Sequence, residues 1–130
     1  LTLHTGKKIE VPFEQLLIFA TNLDPDDLVD DAFLRRMGYR LYVNPPDKDM
    51  YARIFQQYVE ANGFGYDTQY LDFVYRLYEA DKRPLRACEP RDLMLRCVDH
   101  CKYENLPKAL SNEIILQAWK NYFGAAPTLE

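Results

Sequence analysis

"RLYVNPPDKDMYARIF", Arg40 to Phe55, contains the change of pattern that decides the fold. Up to Val43 the apolar residues run together or alternate, as in strands. After Pro45 and Pro46 they return every three or four residues, as on one face of a helix. Proline lacks a backbone N–H and pushes its predecessor toward extended geometry. Asn44-Pro45-Pro46 therefore continues neither a helix nor a ladder and reads as a connector. A boundary here separates a first region, 1–46, from a second, 47–130.

Downstream, each helix carries its own punctuation. Asp47 caps a helix with Met50, Ile54, Phe55, Tyr58 and Val59 on its apolar face, ended by Gly63. Asp67 opens a second, with Tyr70, Leu71, Val74, Leu77 and Tyr78, broken at Pro84. Pro90 starts a third through Leu93, Met94, Cys97, Val98 and Cys101. Ser111 caps a fourth through Ile114, Ile115, Ala118, Trp119 and Tyr122, stopped at Gly124. The second region is expected to be a bundle of about four helices.

Upstream, Leu1, Leu3, Ile9 and Val11 alternate around Thr5-Gly6, which predicts a hairpin ended by Pro12. Leu16–Ala20 is an unbroken apolar run, too short for a typical helix, and predicts a strand buried on both faces. Asp24 before Pro25 predicts a short helix reaching about Arg35, with Gly38 as its stop. Tyr39–Val43 predicts a second short strand. The fold class expected is α+β and predominantly helical. The chain opens with Leu1 inside a pattern, so it is expected to be part of a longer protein.

Ten tyrosines, seven phenylalanines and one tryptophan in 130 residues supply enough apolar surface for a core. The net charge of −4 offers no basic stripe, so neither nucleic acid nor an anionic membrane is an expected partner. No run is long and apolar enough to span a bilayer. No secretory signal is seen, and a cytoplasmic setting with reduced Cys88, Cys97 and Cys101 is expected. Cys97, His100 and Cys101 lack the further ligand that zinc needs, so buried structural cysteines and no metal are expected. Asp24, Asp26, Asp27, Asp30 and Asp31 lack the spacing of a calcium loop. They read as a cap, a helix start and a solvated face. Gly6-Lys7-Lys8 lacks the earlier glycine and the following Ser or Thr of a phosphate loop. Asn22 follows the apolar run either as part of a turn or as a polar group offered to a ligand at the carboxyl end of a strand.

"LLIFATN", "FLRRMG", "RLYV", "NPPD" and "RACEPRDLML", in this order, resemble the second half of an AAA+ ATPase core with its helical lid. The resemblance covers almost the whole chain. It implies a partial AAA+ α/β core over 1–46, with short strands and one helix, and a four-helix lid over 47–130. It also implies roles. Asn22 would be sensor 1, orienting the attacking water. Arg36, before Met37-Gly38 where the family has Phe-Gly, would be the arginine finger, with Arg35 as alternate. Arg91, after Pro90, would be sensor 2 and contact nucleotide from the lid. Arg86, and more weakly Arg83, could assist. The family's phosphate loop and magnesium-binding strand match nothing here, so the chain alone is expected to be inactive and to hold no cofactor tightly. ATP and Mg2+ would belong to a full-length parent. That parent would assemble as a hexameric ring and remodel a protein substrate. Two rivals are a non-catalytic helical adaptor that binds a protein partner and a helix-turn-helix DNA binder. The acidic balance weighs against the second.

Overall fold

The computed structural model describes residues 4–12, 14–24, 27 and 31–129. The chain divides into two compact units, Leu1–Tyr42 and Val43–Glu130.

The first unit departs from expectation. Among its described residues, Asp31–Leu34 forms helix α1. A turn at His4–Gly6 is present, with Gly6 at φ 76°, but Leu1 and Leu3 lie outside the described residues. Beyond an isolated bridge at Lys8, no strand forms among the described residues. Leu16–Ala20 and Tyr39–Val43 are irregular, and their large apolar side chains are exposed: Leu16 is 86% accessible and Leu41 91%. Neither expected strand is formed among the described residues. A short apolar run is stable as a strand only when neighbouring strands take its N–H and C=O groups and other layers cover its faces.

Of the expected helix reaching about Arg35, Asp27 and Asp31–Leu34 are helical, which places its end within one residue of that expected. Asp27 N–H donates to the Asp24 carbonyl at 3.0 Å, while Pro25, Asp26 and residues 28–30 lie outside the described set. The Leu34 carbonyl closes α1 by accepting from Arg40 Nη2 at 2.8 Å and from Met37 N–H at 3.3 Å.

The second unit contains α2 (Lys48–Ala61), α3 (Thr68–Ala80), α4 (Glu89–Tyr103) and α5 (Asn112–Phe123). This is the four-helix arrangement read from the periodicity. The caps are those expected. Asp47 Oδ1 accepts from Met50 N–H at 2.7 Å, Asp67 Oδ1 from Gln69 N–H at 2.9 Å, and Ser111 Oγ from Ile114 N–H at 3.2 Å. Gly124, at φ 84°, ends α5 in the left-handed geometry that glycine adopts without a Cβ penalty. Lys108, in the α4–α5 connection, donates from Nζ to the Asn62 carbonyl at 3.1 Å and so closes the end of α2.

α4 packs most extensively on α5, with α2 against α4 and α3 against α5. Trp119 is fully buried, edge-on to Tyr78 at 4.8 Å between ring centroids and tilted against Phe123 at 4.4 Å. On α2 the apolar stripe begins one position later than expected. Phe55 and Val59 are buried as expected, but Met50 is 51% exposed and Tyr51 is buried in its place. One residue is about 100° of helix rotation, and the larger tyrosine occupies the inward place.

Trp119→Ala should destabilise the helical unit by about 3–5 kcal/mol in chemical denaturation followed by circular dichroism. Leu16→Ser should change the same midpoint by less than about 0.5 kcal/mol. Equal losses at the two positions would contradict this division between core and exposed chain.

Candidate functional site at the start of α4

The loop before α4 reads "RPLRACEPRD", from Arg83 to Asp92. Cys88 stands at the N-cap without a side-chain cap bond, Pro90 occupies the first turn, and Glu89 and Asp92 place acids at the positive helix end. The two acids have opposite surroundings.

Glu89 is buried, at 6% exposure. Its Oε2 accepts from the Tyr78 hydroxyl at 2.5 Å, and the Tyr78 hydroxyl accepts from Tyr51 at 3.1 Å. One chain of hydroxyls thus links α2, α3 and the start of α4. Burial pushes the Glu89 carboxyl above its ordinary range, against the opposing pull of the Tyr78 hydroxyl, Arg86 and Arg83. Burial also raises Tyr78 and Tyr51, keeping both hydroxyls protonated.

Asp92 is nearer the surface. Its Oδ1 accepts from Arg91 Nε at 2.9 Å and its Oδ2 from the Tyr122 hydroxyl at 3.1 Å. The hydrogen bond from Arg91 is the main influence holding this carboxyl below the usual range. The Arg96 guanidinium lies 5.8 Å from the Tyr122 ring centroid. Arg83 pairs with Asp81 and sits over Phe123 at 4.2 Å.

The expected site residues fall as follows. Arg91 and Arg86 belong to the second unit and are both exposed, Arg91 at the start of α4 and Arg86 in the loop before it. Asn22, Arg35 and Arg36 belong to the first unit and are also exposed. Asn22 sits in a bend in which Thr21 Oγ1 accepts from Leu23 N–H at 3.0 Å. Such side-chain-to-backbone bonds are a common way for threonine to turn a chain.

Cys97 and Cys101 are buried, and burial pushes the Cys97 thiol up to about 12 and raises Cys101 as well. Cys88 is exposed, which corrects the expectation of a buried structural cysteine. It stands at a helix start, where the next residues rather than the cap face the core. Among the described residues no group of three or more His, Cys, Asp or Glu is placed to hold a metal. No helix among them is long and apolar enough to cross a membrane.

Residues 47–121 match a family described as a domain of unknown function (DUF8689). The chain belongs to this family. No curated protein and no solved structure matches it. The DUF8689 span starts at the Asp47 cap and ends within α5, so it takes in Tyr51, Tyr78, Glu89, Arg91 and Asp92 and stops just before Tyr122.

Sequence reasoning missed Glu89, Asp92 and Tyr122 as parts of this site. Glu89 looked like any first-turn acid. The weak available signal was its place directly before a helix-starting proline, where the preceding residue is steered toward a fixed backbone.

The folded DUF8689 bundle holds the Glu89 proton more tightly than the unfolded chain does. Stability gained this way is complete below the ordinary glutamate pKa and is lost as pH rises through the raised value. Glu89→Gln keeps an acceptor for Tyr78 and cannot ionise. Its stability should match wild type below about pH 4 and exceed it increasingly at higher pH, until the carboxyl is fully ionised. Urea denaturation across pH 3.5–8 checks this. A wild-type-to-variant difference that is flat with pH would contradict the reading.

Proposed function

We propose that this chain is the C-terminal part of an AAA+ ATPase, comprising the end of its nucleotide-binding core and the helical lid. In this reading the full-length parent couples ATP binding and hydrolysis to the remodelling of a substrate. The observation that carries it is Arg91. It is exposed, follows a helix-starting proline, and opens the third helix of a four-helix unit. An arginine there can meet a phosphate with a planar, permanently charged fork beside a positive helix end. The ordered fragments "LLIFATN", "FLRRMG" and "NPPD" upstream add to it.

Each residue then has a separate task. Asn22 orients the attacking water. Arg36, or its neighbour Arg35, offsets transition-state charge in an adjoining subunit of a ring. Arg91 reports the phosphates of its own subunit to the lid, with Arg86 nearby. ATP and Mg2+ sit mainly on parts of the core that this chain does not contain. The exposed runs Leu16–Ala20 and Tyr39–Val43 are the segments that such a core would take up as strands.

A non-catalytic adaptor is the rival reading. It draws on an open cleft of about 450 Å3 beside the α4–α5 connection, lined by His100, Leu106, Ser111 and Ile114 among others. A cleft of mixed polarity can seat a short peptide segment without any nucleotide.

The purified chain should not hydrolyse ATP, because positioning and charge stabilisation need the phosphate cradle and metal together. In the full-length protein, Arg36→Ala should lower kcat by about 10³ or more while leaving nucleotide affinity nearly unchanged. Arg91→Ala should weaken nucleotide binding or lid closure. Steady-state turnover and fluorescent-nucleotide titration separate the two. Wild-type behaviour of both variants would remove the ATPase reading and leave the adaptor.

A further inference from the structure

Glu89 begins α4 with its carboxyl inside the bundle instead of in water. Its hydrogen-bond partner is a neutral one, the Tyr78 hydroxyl from α3, which the Tyr51 hydroxyl from α2 backs in turn. Among the described residues Glu89 takes part in no ion pair, and Arg83 pairs with Asp81 instead. The two protonation states of an acid bear such a place at unequal cost. The neutral acid fits an apolar interior that offers one hydroxyl. The carboxylate loses hydration that one neutral hydroxyl does not replace.

A second place is open to the same side chain. The Arg83–Cys88 loop that leads into α4 is exposed apart from the half-buried Leu85, and Cys88 at the N-cap makes no side-chain cap bond. Pro90 is fully buried, and Leu93, Met94 and Cys97 hold the rest of α4 in the core. Turning Glu89 outward therefore disturbs the loop and the first residue of α4 but not the helix beyond Pro90. A cavity of about 180 Å3 lined by Tyr78, Arg83 and Leu85 among others gives the loop room to shift. Outside, a carboxylate meets water, the positive end of the helix and the guanidinium groups of Arg83 and Arg86.

We propose that Glu89 and the Arg83–Cys88 loop form a proton-operated switch, in which the neutral acid locks the loop against Tyr78 and the ionised acid turns to solvent and releases it. The groups around Glu89 set the balance. Tyr78 on α3, Tyr51 on α2 and Tyr122 on α5 all keep their protons, Asp92 on α4 itself opposes ionisation, and Arg86 and Arg83 favour it. Burial outweighs the arginines and raises the carboxyl above its ordinary range. The switch is thus closed in acid and opens as pH rises through that raised value. It needs no nucleotide and stands apart from the ATPase reading.

The test follows the 130-residue chain, labelled with 13C and 15N, by NMR from about pH 3.5 to 8, together with emission from Trp119, the chain's single tryptophan, which stands edge-on to Tyr78. The Glu89 carboxyl carbon should titrate above the ordinary glutamate value of about 4.3. The backbone amides of Arg86, Ala87, Cys88 and Glu89 should shift with the same midpoint, as should Trp119 emission, while Cys97–Tyr103 amides should show no step at that midpoint. Glu89→Gln, which keeps an acceptor for Tyr78 and cannot ionise, should hold the acid-side spectrum throughout. Any response of His4 or His100 survives in that variant and is subtracted. Arg86→Ala removes a charge that favours the carboxylate and should move the midpoint to higher pH. A Glu89 carboxyl that titrates while the loop amides stay still means that it ionises in place, which overturns the switch. A midpoint at or below the ordinary value, loop shifts that persist in Glu89→Gln, or loss of signals throughout the bundle at the same midpoint overturns it equally.

Discussion

A carboxylic acid taken out of water must find a hydrogen-bond partner, and Glu89 finds one in Tyr78. Tyr78 in turn receives the Tyr51 hydroxyl, so one buried acid draws together residues from α2, α3 and α4. Trp119 from α5 packs edge-on against the same Tyr78 ring. All four helices of the second unit therefore meet around one tyrosine. The arrangement places α4 with its first turn anchored from inside the core. Because α4 starts at Glu89 and Pro90, the next residue, Arg91, is carried outward at a defined point. A satisfied buried polar chain of this kind rigidifies its surroundings.

The helices were legible because their ends are chemical statements. Asp47, Asp67 and Ser111 each supply an oxygen to an otherwise unpaired helical N–H, and Gly124 supplies the left-handed stop. Those are local events, and a local reading recovers them. The register of α2 was less legible, since Met50 and Tyr51 are both apolar and only packing decides which turns inward. The first unit was misread for a different reason. Leu16–Ala20 has the composition of a buried strand, yet a strand is a relation between segments and not a property of one. In this chain the same residues are irregular and exposed.

The site divides along the same line. Pro90 and Arg91 were visible because proline marks a helix start and arginine is conspicuous after it. Asp92 and Tyr122 were not, because thirty residues separate them and nothing in either segment announces the other. Glu89 was hidden by its ordinariness, since a glutamate in a first helical turn normally faces water. What sequence reading could not supply was the side-chain surroundings that distinguish the buried acid from the surface one.

Across the second unit, the interior chain sets where α4 begins, and Arg91 stands exposed at that beginning, beside Asp92. The central claim, under the proposed function, is that this exposed arginine meets nucleotide phosphate. The most direct measurement is a cryo-electron microscopy structure of the proposed ATPase parent with Mg2+ and a non-hydrolysable ATP analogue. The account predicts the Arg91 terminal nitrogens about 2.7–2.9 Å from a phosphate oxygen of the nucleotide in the same subunit. Well-defined nucleotide with Arg91 directed to solvent or to a protein partner would contradict it.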